Sequence, residues 1–427
     1  MNTIYLDNAA TSFPKPPEVE RAMVERLRAC GNPGRGGHRL AVEAEQTLDR
    51  ARLALHRLLD GLDPRRFVLT LNGTDALHLA IHGTVHGAAD RTSSRAIGEA
   101  SGSSIPHVVT TVLEHNSVVR AANHLAADGR IELTRVGCDD SGVLDPDDIA
   151  RAVRRDTALV VFTMASNALG TLQPAAAIID AIRDRSSALI LADAAQIVGA
   201  VPLSLAKLGA DLVAFPGHKG LLGPMGTGIL WIGPEAQPRL DSQVGARIAP
   251  VRAGGTGDSR DPLMPAQLPR RFEGGTPNVV GAAGLAAGTE WLLHHGVERI
   301  AAHERRLAEE LASRLDALAG VRVVGSRNPS VRIGVVSIAI EDVDPAELAA
   351  TLDAAFGIAV RPGLHCAPGA HEAAGTFPLG TIRASVGPFN EPSHIESLVE
   401  AMGEIIDATR PSTPRHDPPA PPPSTPS

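Results

Sequence analysis

The feature that most constrains the fold of this chain is an alternation of short apolar segments with amphipathic segments over roughly its first 270 residues. Seven apolar segments are typical of buried strands: 67–71, 107–112, 131–136, 158–163, 188–193, 211–215 and 228–232. Amphipathic segments with helical spacing lie between many of them: 75–86, 117–127, 145–154 and 175–183. Because strands that alternate with helices form βαβ units, the sequence predicts an α/β fold. We expect a mainly parallel seven-stranded sheet with helices on both faces.

A different arrangement is predicted after about residue 277. The predicted elements there are helices at 279–295, 297–318, 345–355 and beyond Pro392, and strands at 321–324, 335–340, 358–361 and 381–385. Long helices followed by short strands are typical of a smaller α+β domain.

We divide the chain accordingly into four parts. They are an N-terminal segment that packs near the small domain (1–15), a large α/β domain (16–277), a small C-terminal α+β domain (278–410) and a tail (411–427). The tail is rich in proline and has no apolar face to bury, so we expect it to be disordered. Residues 91–106 are rich in Ser, Gly and Ala, and we expect a surface loop there.

Charge and cysteine content limit the partners and the location that we expect. The formal net charge of −8 argues against nucleic acid as the main partner, because phosphate binding needs clustered Lys and Arg. No apolar run approaches the ~20 residues that span a bilayer, and the first residues do not form a basic patch followed by an apolar stretch. Cys30, Cys138 and Cys366 are too scattered for a disulfide framework. We therefore expect a cytoplasmic protein that binds neither nucleic acid nor a membrane.

Two neighbouring windows contain the most informative polar residues. In LILADAAQIVGAVP a predicted strand ends at Asp193, and Gln196 follows three residues later. In DLVAFPGHKGLLGPMGTGILWI, His218 and Lys219 lie in a Gly-rich turn between two predicted strands. Ligands of open α/β sheets bind at the carboxyl ends of strands, so Asp193 should face a cleft. An electron-accepting cofactor such as pyridoxal phosphate (PLP) needs a lysine for its imine and an acid at its pyridine nitrogen.

Each of these residues also has a simpler explanation. Asp193 could cap a helix, and Lys219 could be a solvated loop residue. The order of the residues does not match a nucleotide-binding P-loop. Lys219 precedes Gly220, and a strand, not a helix, is predicted next.

A metal site is the alternative for three histidines that recur at four-residue spacing, His78, His82 and His86. The outer two lie roughly 12 Å apart along a helix that rises about 1.5 Å per residue. One zinc ion with bonds of about 2 Å cannot bridge that distance, although a pair of ions could. We therefore predict structural or surface histidines and no metal site.

Eight short motifs occur in an order that resembles the cysteine desulfurases of the class V aminotransferase superfamily. They are LDNAAT, NGTDAL, LEHNSVV, SNALGT, DAAQ, GHKG, RFEGGTPN and RPGLHCAP, between about residues 5 and 390. The short R-x-G-x-H-C segment resembles the SUF-type (group II) branch. The resemblance implies the type I fold of PLP-dependent transferases, PLP as the cofactor and a homodimer with a shared active site.

The resemblance also implies roles for residues around PLP. Lys219 matches the lysine of the Schiff base, and Asp193 matches the partner of the pyridine nitrogen. His115 matches the histidine stacked on the ring face, and we group it with Lys219 among the catalytic residues. The further matches are Gln196 near the phenolic oxygen, Asn167 at the ring and the substrate, Gly73, Thr74 and His218 at the phosphate, and Thr276, which reaches the phosphate of the partner subunit. A helix N-terminus with a free hydroxyl, as at Thr74, is a favourable anion site.

Cys366 is the expected working thiol. It lies in a loop rich in Gly, Pro and His, with Arg361 and His365 nearby, and cations favour the thiolate. The other two cysteines are expected to be inert packing residues. Arg383 matches the arginine that binds the substrate carboxylate, where a planar guanidinium gives bidentate recognition, and Arg361 is expected to support it.

One position departs from the pattern of the family. SUF-type enzymes usually have Ser two residues before the His of the GHK motif, and this chain has Pro216 there. A hydroxyl contact to the phosphate is thereby lost unless main-chain amides replace it. The turn after Lys219 is also one residue longer, which indicates a side branch of the family. Residues 34–40, GRGGHRL, resemble the family's loop near the substrate entrance.

The resemblance therefore implies conversion of L-cysteine to L-alanine, with a persulfide on Cys366 that a sulfur-acceptor protein could receive. Three alternatives remain at this point. They are a cysteine or cystine C–S lyase, a PLP-dependent aminotransferase or epimerase, and a non-catalytic scaffold with the same fold. Alanine rather than pyruvate as the organic product distinguishes the desulfurase from the lyase.

Overall fold

The computed structural model describes residues 3–34, 36–95, 105–243, 245–341 and 343–409, which form thirteen strands and twelve α-helices. The strands are β1 (Ile4–Tyr5), β2 (Phe67–Thr70), β3 (His107–Thr111), β4 (Glu132–Val136), β5 (Thr157–Thr163), β6 (Leu189–Asp193), β7 (Leu212–Pro216), β8 (Gly228–Ile232), β9 (Val321–Val324), β10 (Val335–Ile340), β11 (Ile358–Ala359), β12 (Arg361–Gly363) and β13 (Thr381–Ser385). The helices are α1 (Pro17–Arg28), α2 (Arg39–Leu59), α3 (Gly73–Arg95), α4 (Asn116–Ala127), α5 (Pro146–Ala152), α6 (Ala175–Arg183), α7 (Leu205–Leu208), α8 (Val279–His295), α9 (Val297–Asp316), α10 (Pro345–Phe356), α11 (Pro368–Ala373) and α12 (Pro392–Thr409). None of these helices is both long and apolar enough to cross a membrane.

The predicted seven-stranded sheet is confirmed. Its strand order is β2-β8-β7-β6-β5-β3-β4. Strands β3 to β7 pair in parallel, whereas β8 runs antiparallel to both β7 and β2. The parallel register aligns Thr163 with Asp193 and Asp193 with Ala214 at the carboxyl ends of β5, β6 and β7. The strand ends therefore lie side by side at one edge of the sheet.

Helices bury both faces of this sheet. On β6, Leu189 and Leu191 pack into the core formed with α3 and α4, whereas Ile190 and Ala192 pack into the core on the other face. That second core contains apolar residues of α2, α5, α6 and α8. Burial on both faces explains why these strands have continuous apolar sequences without polar alternation.

A second sheet is formed by the C-terminal part of the chain. It has four antiparallel strands in the order β12-β13-β10-β9, and helices α9, α10 and α12 cover it in a core of its own. The short strand β1 pairs in parallel with β11 next to this sheet. The division of the chain into domains at residues 15, 277 and 410 stays a prediction.

Parts of the fold differ from the sequence prediction. The predicted strand at 358–361 is wrong as a single strand, because β11 and β12 divide it between two sheets. The expected loop at 91–106 is wrong for residues 91–95, which are the last residues of α3, and residues 96–104 lie outside the described residues. Helices α1 and α2 lie in a region where no element was predicted. The tail at 411–427 also lies outside the described residues.

Candidate active site

A cavity of about 250 Å³ lies at the aligned strand ends, between the large sheet and the loop that follows β12. Nearly all of the predicted site residues line it: Gly73, Thr74, His115, Asn167, Asp193, Gln196, His218, Lys219, Arg361, Cys366 and Arg383. Thr276 is the exception. It is exposed and lines a separate cavity together with Arg252 and Glu273.

Lys219 and Asp193 are the central charged pair of this cavity. Asp193 ends β6, is almost fully buried, and accepts a hydrogen bond from the backbone N–H of Ala195 at 2.9 Å. Burial raises the pKa of Asp193, while that hydrogen bond and the charge of Lys219 act against the shift. Lys219 follows β7, and removal of its amine from water lowers its pKa to about 8, an effect that Asp193 opposes. A buried amine with a pKa near neutrality is suited to take and return protons.

His115 forms the N-cap of α4. Its Nδ1 accepts a hydrogen bond from the backbone N–H of Ser117 at 3.1 Å, so the neutral ring carries its proton on Nε2. Burial and the neighbouring Lys219 lower the pKa of His115 to about 4. The ring is therefore neutral at physiological pH.

Two helix N-termini meet at one end of the cavity. Helix α3 begins at Gly73 and α4 begins at Asn116, and the hydroxyls of Thr74 and Ser117 lie 2.9 Å apart. Free backbone N–H groups and the helix dipoles favour an anion at such a place. Ser117 was not predicted as a site residue, although a hydroxyl in the first turn of a helix was a usable indication.

The substrate end of the cavity has two adjacent arginines. Arg361 and Arg383 are directly opposite each other on β12 and β13. Arg383 is fully buried, and it donates to Asp7 Oδ1 at 2.6 Å and to the carbonyl oxygen of Asn167 at 3.1 Å. Asp7 was not predicted as a site residue, and this ion pair fixes the orientation of the guanidinium. Gln196 donates from Nε2 to the carbonyl oxygen of Ala9 at 3.0 Å.

Cys366 is held in a strained loop at the same end of the cavity. His365 and Cys366 have φ angles of +51° and +59°, a left-handed conformation that non-glycine residues seldom adopt. The backbone N–H of Asn116 donates to the carbonyl oxygen of Cys366 at 2.7 Å, and Asn167 Nδ2 donates to that of His365 at 2.6 Å. Nη2 of Arg361 lies 3.7 Å from the sulfur. The loop therefore keeps the thiol beside a cation.

The expectation that His365 supplies a second cation is wrong. Burial lowers the pKa of His365 to about 3, so the ring is neutral. Its Nδ1 lies 3.2 Å from His371 Nε2, and its Nε2 lies 3.1 Å from the carbonyl oxygen of Arg361. His365 thus supports the loop, and the positive charge beside the thiol comes from Arg361.

The chain is similar to known proteins over nearly all of its length. Residues 4–398 match the family described as Aminotransferase class-V. A "Probable cysteine desulfurase" from Methanothermobacter thermautotrophicus is 34% identical over 407 residues, which cover 94% of each chain. Another from Aeropyrum pernix is 34% identical over 415 residues, which cover 95% of each chain. The apo structure of a cysteine desulfurase from Thermococcus onnurineus NA1 superposes with a TM-score of 0.82, 33% identity and 95% coverage of both chains.

The chain belongs to the cysteine desulfurases of the class-V aminotransferase family. This family is PLP-dependent. Its type I fold, with a mostly parallel seven-stranded sheet and covering helices, is confirmed. Membership of the SUF-type branch within the cysteine desulfurases stays a prediction.

The cavity of this cysteine desulfurase has groups that fit PLP. The two helix N-termini suit a phosphate dianion, and the buried Asp193 carboxyl suits a protonated pyridine nitrogen. His218 Nδ1 is buried without a hydrogen-bond partner in the described part of the chain, so an acceptor or donor brought by a ligand would satisfy it. Pro216 lies in this wall, where the family's usual Ser would add a hydroxyl.

One further buried acid was missed by the sequence analysis. Glu114 precedes His115 and is fully buried, and its Oε1 accepts from the Thr111 hydroxyl at 2.6 Å and from the Thr163 N–H at 3.0 Å. Burial, followed by the neighbouring Asp193, raises the pKa of Glu114 to about 8. Only its position next to the histidine of LEHNSVV could have indicated it.

The three histidines of α3 line up along the helix. The ring centroids of His78 and His82 are 5.5 Å apart, and those of His82 and His86 are 6.4 Å apart. Among the residues that the structure describes, no group of three or more His, Cys, Asp or Glu side chains could hold a metal ion.

Proposed function

We propose that this chain is a PLP-dependent cysteine desulfurase that converts L-cysteine to L-alanine and keeps the sulfur as a persulfide on Cys366. The observation that supports this best is the position of Cys366. Its thiol lines the same cavity as Lys219 and Asp193, and the Arg361 guanidinium lies 3.7 Å from its sulfur. A thiol held near a cation and facing a cofactor pocket is a suitable nucleophile.

The residues that would hold PLP are those at the strand and helix ends. Lys219 would attach it covalently, Asp193 would pair with its ring nitrogen, and His115 would lie against its ring. The remaining contacts would come from Gly73, Thr74, Ser117, Asn167, Gln196 and His218. When bound, PLP supplies an electron sink for the bonds at the α-carbon of the substrate.

The substrate would be oriented by its carboxylate. Arg383 and Arg361 place two guanidinium groups side by side, and each of them lowers the cost of burying an anion. Arg383 is already fixed by Asp7, so its direction is set before the substrate arrives. The free amine of Lys219, with its pKa near 8, then takes the α-proton of the substrate.

The sulfur step follows from the position of the thiol. The Cys366 thiolate attacks the sulfur of L-cysteine, a sulfur–sulfur bond forms, and the Cβ–S bond of the substrate breaks. The electron pair of that bond goes to Cβ, which takes up a proton, and L-alanine leaves. Cys366 keeps the transferred sulfur as a persulfide, which a sulfur-acceptor protein would then receive.

The product and the site of the sulfur test this proposal. PLP-loaded protein given L-cysteine should form alanine and not pyruvate. Cys366→Ala should still bind PLP and L-cysteine but lose nearly all alanine production, because no nucleophile remains to take the sulfur. Peptide mass spectrometry of the parent after a short exposure should find one added sulfur on the Cys366 peptide.

The other two cysteines provide matched controls. Burial and two neighbouring aspartates raise the pKa of Cys138 to about 11, so its thiol stays protonated. Cys30 is exposed, and both are absent from the lining of the cavity. Cys30→Ala and Cys138→Ala should therefore keep parental rates. Pyruvate as the main product would instead support the C–S lyase. Parental alanine production by Cys366→Ala would show that Cys366 does not take the sulfur.

We also propose a homodimer in which Thr276 of one chain reaches the phosphate site of the other. This is supported by the exposure of Thr276 and by its separation from the Lys219 cavity within one chain. A cytoplasmic location remains part of the same proposal.

A further inference from the structure

A second, smaller cavity lies directly behind Lys219. It offers about 40 Å³ of room, and a water molecule needs roughly 10–15 Å³, so two or three waters fit. Its walls come from both sheets: Ser12 and Gly220 lie on the side of the large sheet, and Gly334 and Val386 on the side of the four-stranded sheet. The residues that it shares with the lining of the active-site cavity are Ala9, Ala195, Gln196 and Lys219. The two cavities are therefore neighbours, and Lys219 lines both of them.

The acid in this second cavity is Glu304, in the middle of α9. Its side chain is only 7% exposed, and it has no hydrogen bond or ion pair within the described part of the chain. Its Oε2 lies 3.4 Å from the point where a Cβ on Gly334 would stand, so the glycine leaves this wall open. A buried carboxyl without a protein partner is costly unless water or a proton satisfies it.

Within the described part of the chain, no charged side chain is paired with this acid. Burial alone raises the pKa of Glu304 to about 8. Among the residues that line the cavity, all of them in the described ranges, Glu304 and Lys219 are the only two that titrate. The pKa of Lys219 is also about 8. The two groups therefore change protonation in the same pH range, which suits an exchange of protons between them.

We propose that Glu304 exchanges protons with the amine of Lys219 through water held in this cavity. Glu304 does not touch the substrate and acts through Lys219. The inference rests on the proposed desulfurase reaction, in which Lys219 takes the α-proton of L-cysteine. Exchange through the rear cavity would renew the proton on Lys219 while the substrate closes the front of the active site.

The balance of hydrogen atoms shows why such an exchange is useful. L-cysteine has three carbon-bound hydrogens on Cα and Cβ, whereas L-alanine has four, so one proton must reach carbon during each turnover. The thiols of the substrate and of Cys366 supply two protons, of which one stays with the persulfide or the solvent. The site must therefore deliver one proton to carbon beyond the one removed from Cα, and a lysine that exchanges its proton could deliver it.

An isotope experiment tests the route. PLP-loaded protein converts L-cysteine with ordinary hydrogen on Cα in deuterated water, and the alanine is analysed for hydrogen that remains on Cα. In the parent we expect mostly deuterium at Cα, because Lys219 exchanges with the cavity water through Glu304. In Glu304→Gln we expect the retained hydrogen to rise about threefold or more, because an amide keeps the shape but cannot relay a proton.

Two variants serve as controls. Glu309→Gln makes the same chemical change on the exposed side of α9 and should leave the retained hydrogen at the parental value. Glu304→Asp keeps a titrating carboxyl and should restore part of the exchange. If Glu304→Gln makes alanine with the parental isotope content, the relay is wrong while the desulfurase proposal stands. If the parent makes no alanine, the proposed function itself fails.

A second measurement does not depend on turnover. The folded pKa of Glu304 lies above its unfolded value, so the carboxyl contributes stability at low pH that is lost as the pH rises towards about 8. Urea unfolding of the PLP-loaded and the PLP-free protein should show the parent losing stability relative to Glu304→Gln between about pH 5 and pH 8. A difference that stays constant over this range would mean that Glu304 is not the isolated buried acid that the relay requires.

Discussion

Single residues at the centre of the site are charged groups that the fold withdraws from water. Burial favours the neutral forms of both Asp193 and Lys219, and each charge partly restores the ionised form of the other. A ligand with a protonated ring nitrogen would place a second positive charge beside Asp193 and would further favour its ionised form. The neutral ring of His115 adds no charge beside that pair.

The role of Asp193 can be tested by Asp193→Asn. The amide can still accept the N–H of Ala195, so the turn and PLP binding should persist. It cannot hold the pyridine nitrogen protonated, and we expect the rate of α-proton removal to fall by about 10²-fold or more. Rapid-mixing measurements of α-deuterium exchange would provide the rate.

Asp211→Asn is the matched control for this substitution. Asp211 is also a buried carboxylate, but it precedes β7 and binds Arg183 and the N–H of Ile190 at the opposite end of the strands. It should lose stability and keep the parental rate per folded molecule. A rate for Asp193→Asn within about threefold of the parent would exclude Asp193 as the pyridinium partner.

Secondary-structure elements bring these residues together, and the sequence predicted the elements unevenly. The bounds of α8, β9, β10 and β13 were predicted to the residue, because Gly, Pro or a charged residue lies within two residues of each end. Helix α2 was missed, although Ala44, Leu48, Ala51 and Leu55 are buried at helical spacing. The spacing of the apolar residues was therefore enough to indicate α2, but the prediction did not use it.

Contacts between elements could not be predicted from local sequence patterns. The eleven predicted residues that line the cavity were identified by motifs, each read on its own. Asp7 and Glu304 belong to contacts between segments that are distant in sequence, and no local pattern indicates those contacts. Ser117 had a local indication in the first turn of α4, but its contact with Thr74 had none. The neutral state of His365 likewise results from burial, which depends on the packed structure.

The N-termini of α3 and α4 lead to a testable prediction about how the phosphate of PLP is bound. With Pro216 in place of the usual Ser, the hydroxyls of Thr74 and Ser117 are expected to supply the side-chain contacts to phosphate. We expect Thr74→Val and Ser117→Ala each to weaken PLP binding by about tenfold, since a hydrogen bond to a charged group contributes ~1.5–3 kcal/mol. Equilibrium dialysis of PLP against each variant measures this change.

Thr84→Val is the matched control on the same helix. Its hydroxyl bonds to the carbonyl oxygen of Ala80 inside α3, away from the cavity. It should leave the affinity for PLP unchanged. Equal affinity of all three variants and the parent would mean that main-chain amides alone hold the phosphate.

At the scale of the whole molecule, one predicted residue is separated from the site that it should serve. Thr276 is exposed and lies outside the Lys219 cavity of its own chain. A two-fold symmetric dimer uses the same surface of both chains, so a residue near the two-fold axis can complete the site of its partner. Each site would then consist of Lys219 from one chain and Thr276 from the other.

Mixed dimers test this arrangement directly. Chains with Lys219→Ala and chains with Thr276→Val, carrying different affinity tags, are co-expressed, and the mixed dimer is purified. If the sites are shared, one site has both lesions and the other has none, so the mixed dimer should have about half of the parental activity and tightly bound PLP. The mirror experiment pairs a parental chain with a chain that carries both substitutions. In that dimer the only site with Lys219 receives the substituted valine from its partner, and activity should fall to about half that of the Thr276→Val homodimer. The opposite result, with about half of the parental activity only in the mirror dimer, would show that Thr276 serves its own chain.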